Sequence, residues 1–128
     1  MQDRPTAAEL LDAIGDFLVQ DVAPHVPPWL TFQLRVARNS LHIIKREIEL
    51  EEAHLLEEWR GLDALLGDAP RPATLRELRQ AVRARNEELC RRIQAGEFDR
   101  PDLRRMLVDH LTRTVRDKLL VTNPRYVQ

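Results

Sequence analysis

Residues 29–48 read WLTFQLRVARNSLHIIKREI. Their apolar positions Leu30, Leu34, Ala37, Leu41, Ile44 and Ile48 step alternately by four and three residues, which is the period of one face of an α-helix. At 100° per residue, Phe32, Val36 and Ile43 form a second stripe about 140° round the same helix, with Gln33, Ser40 and Glu47 between the two. Two apolar stripes predict that this second helix is central and covered on more than one side.

Working outward, Thr6 stands three residues before Glu9, the spacing in which a hydroxyl and a carboxylate satisfy each other's backbone amides at a helix start. A first helix therefore begins there, with Leu10, Leu11, Ile14, Phe17, Leu18 and Val22 in helical period, and Pro24, Pro27 and Pro28 end it. Beyond residue 48, the acidic run Glu49, Glu51 and Glu52 predicts a bend or break. Leu55, Trp59, Leu62 and Leu66 then make a third helix ending at Gly67. Pro70 and Pro72 mark a loop, and Thr74 with Glu77 repeats the capping arrangement. A fourth helix carries Leu75, Leu78, Val82, Leu89 and Ile93 and stops at Gly96. Asp99 and Pro101 open a fifth, with Leu103, Leu107, Leu111, Val115 and Leu119 on its face, and Asn123 and Pro124 close it. No repeat and no alternating strand pattern interrupts this order. The fold class expected is all-α: a single helical domain over residues 1–128, built as a four- or five-helix bundle with short connections.

Composition agrees, since Ala, Glu, Lys, Leu and Arg supply 63 of the 128 residues. The 20 basic and 21 acidic side chains leave a net charge of -1, against the basic balance of a nucleic-acid binder and the low hydrophobicity of a disordered chain. Of the basic residues only Lys45 and Lys118 are lysine. One cysteine, Cys90, forms no internal disulfide, no apolar run approaches a membrane span, and no signal-peptide core follows the first residues. A cytoplasmic location without membrane partners is expected.

Motifs that carry chemistry are scarce. Glu51 and His54 have the Glu-x-x-His spacing of di-iron bundles, but the motif occurs once where such a site needs it twice. Arg105 and His110 match the Arg-x4-His spacing of some helical ribonuclease domains, yet five residues along one helix turn them about 140° apart. His25, His42, His54 and His110 share no spacing, and Cys90 lacks an activating environment. The Asn123-Pro124-Arg125-Tyr126 tail matches the Asn-Pro-x-Tyr turn pattern; a simple helix-ending turn with Tyr126 packed back on the bundle accounts for it. No catalytic residue, cofactor or metal site is assigned.

Polar residues set within apolar arcs are more informative. Asp21 falls in angle among Ile14, Phe17 and Leu18; Glu47 lies between the stripes of the second helix; Lys118 falls within the Leu107 and Leu111 face. Buried charges need partners, and Arg35 and Arg46, aligned with Asn39 and His42 along one edge of the second helix, are the cations to supply them. Either these residues form interhelical ion pairs, or Asp21, Arg35, Asn39, Arg46, Glu47 and Lys118, with Tyr126 of the tail, surround a polar pocket for an anionic ligand.

Several blocks carry a family resemblance. Residues 3–11 (DRPTAAELL), Phe17-Leu18 with Asp21-Val22 and Pro24, Arg35-Val36-Ala37 with Asn39 and Arg46-Glu47, and Asp117-Lys118-Leu119 with Asn123-Pro124-Arg125-Tyr126 resemble a bacterial family, domain of unknown function 6285. The likeness spans essentially the whole chain. It departs after the second helix, where Glu51-Glu52-Ala53 stands in place of the family's common Gly-Pro break. The resemblance implies a small protein encoded beside an acyl-CoA dehydrogenase and an aminoglycoside-phosphotransferase-like kinase. On that basis the function expected is an accessory or adaptor protein bound to such an enzyme of acyl-CoA catabolism. The alternative is a small-molecule binding domain, or weak enzyme, for an acyl-CoA or phosphorylated intermediate. Self-association through the spare stripe of the second helix, giving a homodimer, is a further expectation. An adaptor leaves an exposed apolar patch; a ligand site shows a concave pocket with convergent polar groups.

Overall fold

The structure, a computed structural model, describes residues 3–128. Among the described residues it is all-α: α1 (Ala7–Asp16), α2 (Pro28–Leu66), α3 (Leu75–Gln94) and α4 (Pro101–Thr122), with no strand. A π-helical turn (Phe17–Val22) and a 3-10 turn (Ala23–His25) follow α1, and a second 3-10 turn (Pro124–Val127) follows α4. The sequence-expected second and third helices are one element of 39 residues. Glu49, Glu51 and Glu52 do not break it, because glutamate is a good helix former and neither Gly nor Pro lies near the junction.

The helix ends follow the local chemistry. The Thr6 hydroxyl accepts from the Glu9 amide at 3.2 Å while the Glu9 carboxylate accepts from the Thr6 amide at 2.8 Å, and Thr74 with Glu77 does the same for α3. At the far end of α3 the Gly96 amide donates to the Ile93 carbonyl and the Glu97 amide to the Arg92 carbonyl, a Schellman closure that requires the positive φ of 83° at Gly96. Gly67, at φ 96°, ends α2 by a single bond, its amide donating to the Asp63 carbonyl at 3.0 Å.

Contacts gather into two units: residues up to Glu51 with Leu120–Gln128, and Glu52–Leu119. α2 and α4 contribute a stretch to each.

The Glu52–Leu119 unit holds the core, with Trp59, Leu62, Leu78, Val82, Leu89, Phe98 and Leu107 buried together. Arg85 pins the end of α2. Its Nη1 donates to Asp63 Oδ1 at 2.6 Å, its Nη2 to the Gly67 carbonyl at 2.6 Å, and its guanidinium lies 4.5 Å over the Trp59 ring. The Asn86 amide donates to Glu58 at 2.8 Å. His110 is buried against Gly61, where a Cβ would overlap its ring.

In the other unit α1 and α2 run antiparallel. Lys45 Nζ donates to Asp12 at 2.6 Å, Arg38 pairs with Asp16 at 3.5 Å, and the Thr31 hydroxyl donates to the Ala23 carbonyl at 3.1 Å. Only Gly15 and Ala23 are fully buried among its described residues. The central, covered second helix expected from its two stripes is therefore corrected: Trp29, Phe32, Val36, Ile44 and Ile48 are exposed.

Candidate functional site

The 3-10 turn after α4 builds a groove. Asn123 and Pro124 end α4, and the Tyr126 amide donates to the Asn123 carbonyl at 3.1 Å, folding the tail into a short turn. Arg46 of α2 ties the end of α4 down, its Nε donating 2.7 Å to the Val121 carbonyl in the last turn, where orphan carbonyls and the helix dipole favour a cation. The result is a hollow of about 600 Å³ lined by Asn39, His42 and Arg46 from α2 and by Thr122 to Tyr126 from the end of α4 and the tail. That volume is in the range of small-molecule sites.

The lining is chemically one-sided. Two guanidiniums, Arg46 and Arg125, an imidazole, His42, an amide, Asn39, and a phenol, Tyr126, converge without a carboxylate among the lining residues. His42 has its Nε2 3.9 Å from Asp12, which sits behind it on α1 and also holds Lys45. That carboxylate hydrogen bond raises the Lys45 pKa above its usual value. Such a cluster of donors and cations suits a carboxylate or phosphate, which accepts paired hydrogen bonds from a planar guanidinium.

Of the seven residues singled out from sequence, the structure brings Asn39, Arg46 and Tyr126 together. Arg35, on the same edge of α2, is exposed and not part of the lining. Asp21 and Glu47, expected to point inward, are exposed. Asp21 falls in the π-helical turn, and Ile14 and Phe17, with which the wheel groups it, are themselves exposed. Glu47 lies beside apolar residues that are themselves exposed. Lys118, expected in a core face, is also exposed and lines a separate hollow with Glu58, Asn86 and Cys90. Tyr126, expected to pack back, is 77% exposed. The carboxylates that do pair with α2 are Asp12 and Asp16, which sequence reading passed over because they stand on the polar side of α1. Arg125 and the lining role of His42 were missed as site residues. The four-residue polar edge of α2 carried the signal for His42; nothing local distinguished Arg125.

The family described as domain of unknown function (DUF6285) matches residues 24–126. The chain belongs to the DUF6285 family. Every residue lining the groove falls within the DUF6285 match, whereas Asp21 and all of α1 precede it. No curated protein and no solved structure matches this DUF6285 chain.

Elsewhere, a hollow of about 170 Å³ is lined by Glu57, Glu58, His110, Arg113, Thr114, Arg116 and Asp117. Burial pushes the His110 imidazole below its usual pKa, and Arg113 lowers it further while Glu58 opposes the shift. His54 Nε2 lies 3.9 Å from Asp117, and no group of three metal-ligating side chains occurs among the described residues. No helix among them is long and apolar enough to cross a membrane.

Proposed function

We propose that this protein is an accessory binding module that holds an anionic small molecule, of the acyl-CoA or phosphorylated-intermediate class, in the groove between α2 and the α4 tail. The observation that carries the reading is the convergence of Arg46, Arg125, His42, Asn39 and Tyr126 on one hollow. A neighbouring feature favours an acylated ligand. On the helical wheel Phe32 and Ile43 lie within about 40° of Asn39, so an apolar strip borders the cationic groove. A thioester could place its anionic part among the guanidiniums and its acyl chain along that strip. The client enzymes, an acyl-CoA dehydrogenase or an aminoglycoside-phosphotransferase-like kinase, are those the family resemblance implies.

Titration calorimetry with acetyl-CoA, free coenzyme A and inorganic phosphate tests the ligand. Binding of the thioester should weaken about 10- to 100-fold in Arg125→Ala and in Arg46→Ala, the loss appropriate to one charge-assisted hydrogen-bonding group. Absence of heat for all three anions at millimolar concentration would contradict the reading. A pull-down from the native host that recovers neither enzyme would remove the accessory role while leaving the ligand site standing.

A further inference from the structure

Independently of the groove, α1 and the first part of α2 form a two-helix layer with one bare side. Asp12 meets Lys45, Gly15 lies against Arg38, Leu41 and His42, and Ala23 accepts from Thr31, so residue numbers rise along one helix as they fall along the other. Going round α1 away from its contact at Gly15, the side chains met are Leu11, Ile14 and Leu10. Going round α2 in the same rotational sense from Lys45, they are Leu41, Ile48 and Ile44. In an antiparallel pair, equal senses lead to the same side of the layer. Neither helix places a charge between those residues.

That side is open. Leu10, Ile14, Ile44 and Ile48 are 47, 48, 45 and 53% exposed. With the half-buried Leu11 and Leu41 between them they present on the order of 400 Å² of apolar surface, within what a monomer's largest patch shows. A helical layer needs a second layer to bury its apolar face, and among its described residues this unit buries only Gly15 and Ala23 without one.

We propose that a second copy of this chain covers this side, the two α1–α2 layers stacking face to face about a two-fold axis. Area is compatible with that occupant: about 400 Å² of apolar surface, at the roughly 65% apolar share of homodimer interfaces, corresponds to about 600 Å² per copy, the lower edge of a standard-size interface. Charge supports it as well. A face without charges meets its own copy without like-charge repulsion, and it offers no charge pattern by which a different partner would be selected.

Sedimentation equilibrium at tens of micromolar should give twice the 14.9 kDa chain mass. Ile14→Glu and Ile44→Glu should each raise the dissociation constant at least about 100-fold, since dimerisation would bury an unpaired carboxylate. Val108→Glu, an exposed apolar position in the Glu52–Leu119 unit, should leave it unchanged. If the glutamate variants fail to fold by circular dichroism, the wild type decides: its Tm should climb as concentration rises from about 1 to 100 µM. A monomer with a concentration-independent Tm overturns the proposal, whether or not it captures some other protein through this face. So does a dimer that both glutamate substitutions leave intact.

Discussion

Gly61 has no room for a side chain. A Cβ there would meet the His110 ring, which is buried and cannot swing into solvent. Gly61→Ala should cost about 2–3 kcal/mol in denaturant unfolding despite alanine's better helix propensity, because overpacking outweighs it. An unchanged or raised midpoint would contradict the packing described. His110 also makes stability depend on pH. Its folded pKa lies below the unfolded value of about 6.5, so between the two the unfolded chain binds more protons. Stability is therefore lost as pH falls below about 6.5 towards the folded pKa. In His110→Gln the slope of unfolding free energy between pH 7 and pH 5.5 should be shallower; an identical slope would assign the dependence to other groups. Arg85 supplies the third test at this scale. It spans Asp63, the Gly67 carbonyl and the Trp59 ring with one planar group. Arg85→Ala should cost about 3 kcal/mol and leave Asp63 without its partner, and Arg85→Lys should recover little, since an ammonium cannot make both hydrogen bonds and stack.

At the scale of elements, helix starts and stops were legible because caps are local: Thr6 with Glu9, Thr74 with Glu77, Gly67 and Gly96 each act over three or four residues. Thr74→Ala should lower stability by about 1 kcal/mol, measured by thermal or urea unfolding, with α3 otherwise intact. Two features were not legible. The continuity of α2 depends on what its glutamates do not do, and an acidic run is compatible with either a break or a long helix. The π-helical turn at Phe17–Val22 has no composition signature, so a uniform 100° wheel does not hold through Asp21. The groove was half legible. Asn39, His42 and Arg46 share one edge of α2 through i, i+3 and i+4 spacing, whereas Arg125 reaches them only through the tertiary path of the tail.

For the molecule as a whole, burial and charge are unevenly distributed. The seven-residue apolar core lies in the Glu52–Leu119 unit, so its amides on α2, α3 and α4 should be the slowest to exchange with deuterium, and those of α1 among the fastest in the free monomer. A net charge of -1 conceals a groove lined by two arginines and a histidine with no carboxylate among its lining residues. A balanced total excludes little about local binding, because a ligand experiences the nearest few charges and more distant ones are screened within about 10 Å at 0.1 M salt. The predominance of Arg over Lys has two structural uses: a carboxylate-and-ring clamp at Arg85, and a planar pair at Arg46 and Arg125 facing one hollow. The most direct test of that hollow is a nitrogen-15 NMR titration with acetyl-CoA. Amide shifts should concentrate at Asn39, His42, Arg46 and residues 122–126 and saturate only at about 10- to 100-fold higher ligand in Arg125→Ala; saturable shifts confined to other residues, or none at millimolar ligand, would contradict the assignment.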